Sequence, residues 1–104
     1  MAAWIVYTTA PDKKTATRLA QGLVRGKLAA CVTQMPGAVP IYRWKGKVAR
    51  SKETLLTIQT SGRKLKALED FLKKEHPYDL SEFIALPIKV GSRAYLAWLE
   101  EATR

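Results

Sequence analysis

Apolar positions along the chain change their spacing several times, and each change marks an element. Trp4 to Thr9 is a short run of bulky and β-branched residues, which predicts a strand. Pro11-Asp12 stops it, and Asp12 is placed to cap a following helix. Ala16, Leu19, Ala20, Leu23 and Val24 then recur on one helical stripe, with Lys13, Lys14, Thr17, Arg18 and Gln21 opposite. Gly26 is expected to end this helix in the left-handed conformation. Ala29 to Thr33 predicts a second strand, interrupted near Pro36-Gly37 and resumed from Val39 to Trp44, with Pro40 at a bend or an unpaired edge. Lys45-Gly46-Lys47 reads as a tight turn, and Val48 with Thr54 to Thr60 as the returning strand of a long hairpin.

Ser61-Gly62 opens a second helix with Leu65, Leu68, Phe71 and Leu72 on one side. Glu69–Lys73 and Asp70–Lys74 are expected as i,i+4 ion pairs on its outside. Pro77 closes it, because the residue before a proline is pushed out of the helical region. Phe83 to Val90 predicts a further strand with Pro87 at an edge, and Gly91-Ser92 caps a last helix through Tyr95, Leu96, Trp98 and Leu99.

The order β-α-β-β-α-β plus a terminal helix predicts an α+β, ferredoxin-like sandwich, with residues 1–104 as a single domain. Both main helices belong on one face of the sheet. Leu55-Leu56, Ala29 to Val32 and Ile84 to Leu86 are nevertheless apolar at adjacent positions, so both faces call for burial. One chain has too few helices for that. Self-association is the expected remedy, with the open edges of the long hairpin adding strand pairing between subunits.

Composition narrows the setting. With 47% apolar residues and three Trp the chain can build a core, which excludes disorder. Its apolar runs are only a few residues long, so no segment is expected to span a membrane, and no secretory signal is visible. Cys31, the one cysteine, has no internal disulfide partner. A cytoplasmic domain is the expectation. The net charge of +9 lies wholly in residues 1–52, which hold ten Lys or Arg against Asp12; residues 53–104 hold eight of each sign. A nucleic-acid-binding module is therefore the alternative reading. It is the weaker one, because no basic-Gly-aromatic motif accompanies the charge, and Tyr42 and Trp44 are too few for a stacking platform.

Catalytic chemistry is thin. There is one His and no Asn, the glycines are scattered singly, and the paired acids Glu69-Asp70 and Glu100-Glu101 look solvent-facing. No catalytic residue is assigned, and no enzyme is expected. His76 has two readings: a helix cap favoured by the negative end of the dipole, or a metal or ligand contact. Cys31, among Ala29, Ala30 and Val32, reads as a buried, inert thiol. Tyr42-Arg43-Trp44 puts two rings on one strand face and a cation on the other, which suits core or interface packing.

The residues also carry a resemblance. Tyr7-Thr8-Thr9-Ala10-Pro11-Asp12, Leu28-Ala29-Ala30-Cys31-Val32, Pro36-Gly37 and Tyr42-Arg43-Trp44-Lys45-Gly46-Lys47 occur in order. His76-Pro77-Tyr78, Glu82, Gly91-Ser92 and Tyr95-Leu96-Ala97-Trp98-Leu99 follow. Together they resemble the CutA divalent-cation tolerance family from residue 4 to about 99. The resemblance implies a ferredoxin-like subunit in a homotrimer of PII-like architecture, tolerance to copper and other divalent ions in the cytoplasm, and no established catalysis. A vertebrate branch of the family is linked to acetylcholinesterase anchoring.

Carry-over of a metal site is partial. The copper ligands proposed for some bacterial relatives are a first-strand Cys and a His-His pair before Pro-Tyr; here those positions are Thr8 and Glu75-His76. His76 with Glu75 is thus the implied metal site, for copper or another divalent cation, weakly bound because oxygen donors suit a soft ion poorly. Arg50 and Lys52 stand where acids are common, with only Glu53 keeping that pattern, while Gln59 and Ser81 replace a frequent Lys and Pro. His76, Tyr78 and Glu82 are expected to line a cleft between subunits, with Cys31 and Trp44 as further candidates.

Overall fold

The computed structural model describes residues 2–104. Nine regular elements follow one another: β1 (Ala3–Ala10), α1 (Lys13–Arg25), β2 (Cys31–Ala38), β3 (Ile41–Trp44), β4 (Lys47–Arg50), β5 (Glu53–Ser61), α2 (Leu65–Glu75), β6 (Ile84–Pro87) and α3 (Arg93–Ala102). A 3-10 turn, Gly62–Lys64, leads into α2. Four strands form an antiparallel sheet in the order β2-β5-β1-β6, as a ferredoxin-like order requires, and β3 and β4 make a separate two-stranded ribbon.

Alternation sorts the side chains. Val6, Thr8 and Ala10 of β1 and Leu56, Ile58 and Thr60 of β5 are all buried on the face that meets the main helices. Against them pack Ala16, Leu19 and Leu23 of α1 and Leu68 and Leu72 of α2. The two helices come close because Gly22 has no side chain: a Cβ there would sit 2.7 Å from the Phe71 ring. On the opposite face α3 covers one end only, with Leu99 against Ala3 and Ala30. It is pinned there by the Thr103 hydroxyl to Ser61 Oγ at 3.1 Å and by the Tyr95 hydroxyl to Gln59. The rest of that face stays open. Met35 is 42% exposed, Ile84 51% and Leu86 49%, beside Ile5, Tyr7 and Leu55.

Most boundaries follow the sequence, but several details differ: Val24, expected on the buried stripe of α1, is 43% exposed at its last turn, and β2 runs through Pro36-Gly37 to Ala38. Asp12 caps α1 by accepting from the Thr15 N–H at 2.7 Å, but Gly26 at its other end has φ −81°. The left-handed residue is Lys27, φ 59°, with the Leu28 N–H donating to the Leu23 carbonyl at 2.9 Å and the Lys27 N–H to Val24 at 3.1 Å. That is a Schellman closure displaced by one residue from the glycine. Glu69 does pair with Lys73, at 3.5 Å, whereas Asp70 pairs backwards with Lys66 at 2.8 Å rather than with Lys74. β6 stops at Pro87 instead of running to Val90, because β1 begins at Ala3 and the Ile88 N–H takes its last acceptor. Cys31 is half-buried on the open face of the sheet, paired in register with Gln59, and not enclosed in the core.

The hairpin is long but broken in two. β2 pairs with the β5 strand up to a bulge at Pro36–Ala38, and beyond Pro40 the β3–β4 ribbon leaves the sheet. Its turn uses Lys45 at φ 51° and Gly46 at φ 78°, the left-handed pair that matches strand twist. Every side chain of β3 is exposed.

Candidate functional site

The end of α2 builds the site. Pro77 forces His76 into extended backbone, φ −76° and ψ 138°, so the helix ends and the His76 ring swings toward β1. There Nδ1 accepts from the Tyr78 N–H at 3.1 Å, and Nε2 lies 2.6 Å from the Thr9 carbonyl oxygen. A carbonyl only accepts, so Nε2 carries the proton and the ring is in one neutral tautomer. His76 is 7% exposed. The ring ties the α2–β6 loop to the first strand, while the capping of α2 comes from the His76 backbone N–H, which donates to the Leu72 carbonyl at 2.9 Å.

Tyr78 stacks at a tilt on that ring, with centroids 4.9 Å apart, and its hydroxyl donates to Glu53 Oε2 at 2.7 Å. Burial, followed by the bond to the Glu53 carboxylate and its charge, pushes the phenol up to about 12. Glu53 opens β5 and is 8% exposed. Glu75 points elsewhere: its carboxylate meets Arg18 of α1 at 3.3 Å, and the same guanidinium takes the Glu75 carbonyl at 2.9 Å.

Between the base of the β3–β4 ribbon and the α2–β6 loop lies a cavity of about 730 Å³. Tyr42, Trp44, Glu53, Tyr78, Asp79 and Glu82 contribute to its wall. Three of the expected cleft residues, Trp44, Tyr78 and Glu82, are therefore brought together, with His76 directly behind Tyr78. Cys31 is not: it lies at the far end of β2 from this wall, in the row of Gln59. Glu75 is held on the α1 side. Asp79 and the wall position of Tyr42 were not expected as site residues, and Glu53 was noted only as a family position. Burial of Glu53 at a strand start has no signature in sequence, though an acid flanked by Arg50 and Lys52 on one side and an apolar strand on the other marks the place.

A divalent ion fits these residues poorly as they stand. No three His, Cys, Asp or Glu side chains converge on a point among the described residues, both His76 nitrogens are bonded, and the Thr8 hydroxyl is enclosed in the interior. A second concavity, about 510 Å³ along α1, is a shallow groove walled by Lys13, Lys14, Arg18 and Arg25 without a ring or an acid. Eight of the ten basic residues of the first half divide between α1 and the ribbon. No helix is long and apolar enough to cross a membrane.

Residues 4–102 match the model of the CutA1 divalent ion tolerance protein family. The chain belongs to that family. It is 47% identical over 100 residues to Protein CutA 1, chloroplastic, of Oryza sativa subsp. japonica, covering 96% of this chain and 56% of that protein. The chain therefore spans little more than half the length of that relative. To the divalent-cation tolerance protein CutA of Thermus thermophilus it is 42% identical, covering 95% of this chain and 96% of the relative. The fold agrees: it superposes on the crystal structure of CutA1 from Oryza sativa with a TM-score of 0.97 at 45% identity, over all of this chain and 95% of that one.

Proposed function

We propose that the protein is a homotrimeric divalent-cation tolerance protein of PII-like architecture, acting in the cytoplasm by binding rather than catalysis. Its recognition sites are the clefts beside the β3–β4 ribbon. The observation that carries this reading is the cavity itself, where a buried carboxylate, rings and a loop fixed by His76 meet next to an exposed ribbon that a second copy can cover. The uncovered apolar face around Met35, Ile84 and Leu86 supports the assembly. Nothing in the site favours nucleic acid.

A divalent cation such as copper has only His76 and Glu75 to bind to, as the family resemblance implies, and is expected to be held weakly at most. Weakness follows from the geometry: entry costs the Thr9 contact at one imidazole nitrogen and the Arg18 pairing at Glu75. Calorimetric titration of the wild type with Cu(II) is expected to give micromolar or weaker affinity, and His76→Ala to abolish it. Nanomolar binding, or binding indifferent to His76→Ala, would sink this assignment. Subcellular fractionation checks the compartment.

A further inference from the structure

We propose that the cavity beneath the β3–β4 ribbon takes an organic cation, a ligand bearing a guanidinium or substituted ammonium group, held by Glu53, Asp79 and Glu82 against the rings of Tyr42, Trp44 and Tyr78. This rests on the reading of the cavity as the recognition site and adds the chemical class of its ligand.

Charge sets the class. The chain has nine acids against eighteen Lys and Arg, yet three of the nine line this one cavity, with Arg43 the single cation on its wall. A wall of net −2 on a protein of net +9 runs against the charge of the whole molecule.

A second observation is independent of that count. Glu53 is 8% exposed, and among the described residues the only hydrogen bond to its carboxylate is from the Tyr78 hydroxyl to Oε2. All five ion pairs among the described residues lie elsewhere, so this buried carboxylate has no cationic partner from its own chain. A buried charge is costly until it is paired, and a cation entering the cavity supplies the pair. Neighbouring Tyr78 stays protonated far above neutral pH, so it serves as a fixed donor to Glu53 and adds no negative charge of its own.

Spacing separates an organic cation from a bare ion. A divalent metal needs several oxygens drawn to within about 2.0–2.6 Å, and here no three acidic, His or Cys side chains converge. Carboxylates spread around about 730 Å³ suit a ligand that carries its charge on a carbon frame. The rings suit the same ligand. Within one chain Trp44 is 50% exposed and Tyr42 41%, so each subunit brings aromatic surface beside the acids to the cleft, and a guanidinium or alkylammonium group is attracted to both.

The test uses the assembled protein and three probes of one shape: n-butylguanidinium, its neutral isostere n-butylurea, and the anion valerate. Binding is followed by backbone amide shifts in isotope-labelled protein, with resonances of residues 42–44, 53 and 78–82 reporting the cavity. Butylguanidinium is expected to bind in the millimolar range with shifts confined to those residues, and the other two at least tenfold more weakly. Glu53→Gln is expected to weaken it at least tenfold, and Glu82→Gln, at an exposed position where folding is not at stake, about threefold. Equal binding of all three probes, or butylguanidinium binding unchanged in both variants, overturns the cation reading while the cavity remains a recognition site. If no probe shifts the cavity residues at about a hundred times millimolar affinity, the recognition reading falls as well.

Discussion

Thr8 and Tyr78 show how single side chains are priced by their surroundings. Thr8 is fully buried on the core face of β1, opposite Leu56, and its hydroxyl has no hydrogen-bond partner. An enclosed, unbonded hydroxyl costs about 1–3 kcal/mol. Thr8→Val keeps the shape and is expected to raise stability by about 1 kcal/mol, read as a higher urea midpoint at unchanged slope. Tyr78 carries the opposite case, a polar group whose neutral form is bonded. Its phenol ionises near 12 in the folded protein against about 10 unfolded, so above pH 10 the native state holds more protons. The stability it contributes is complete below pH 10 and drains away as pH climbs to 12. Tyr78→Phe should remove that part of the alkaline loss, seen by comparing urea midpoints of variant and wild type between pH 9 and 12. Identical slopes against pH in the two proteins would contradict it.

At the scale of elements, turns and caps decide where each segment ends. The closure after α1 places Lys27 rather than Gly26 in the left-handed conformation, a position where a β-carbon costs about 1 kcal/mol. Lys27→Gly is expected to stabilise by about 0.5–1 kcal/mol, and Gly26→Ala not to stabilise, since φ −81° suits alanine but its Cβ would sit 3.2 Å from the Gly22 carbonyl oxygen. Thermal melts of the two variants rank them directly; the reverse order would mean that Gly26 is the true stop. The ribbon turn makes the matching case, since Gly46 at φ 78° has open space around it and needs glycine for its backbone alone. Gly46→Val should fray the ribbon while leaving the four-stranded sheet intact, which amide exchange resolves strand by strand.

For the whole molecule the question is what covers the second face of the sheet. Helices α1 and α2 lie on one side, α3 shields one end of the other, and Met35, Ile84 and Leu86 remain open. A surface of this kind supports the proposed assembly. Sedimentation equilibrium at micromolar concentration is expected to give about three times the 11.6 kDa chain mass. Leu86→Asp, a charge placed on that face and away from the α1–α2 core, should lower the mass toward the single chain without loss of helix signal. A wild type that sediments as a monomer ends the proposal.

Periodicity alone was enough to read the order of elements, the helical stripes of α1 and α2 and the tension between two apolar faces, since these depend on spacing along the chain. Asp12 and Ser92 as caps were legible for the same reason: a cap acts within three residues. His76-Pro77-Tyr78 and Trp44 stood out in the sequence as candidates through the family resemblance, but not the contacts they make. Tertiary structure decided that. The acceptor for the His76 ring is a carbonyl 67 residues earlier, and Glu53 reaches Tyr78 across 25 residues. It also moved Cys31 from the core to the open face, because strand register, and not the apolar neighbours Ala30 and Val32, sets which side of a sheet a residue takes. Local interactions are written in sequence spacing; contacts between distant segments depend on how strands pair and helices cross, which no spacing records.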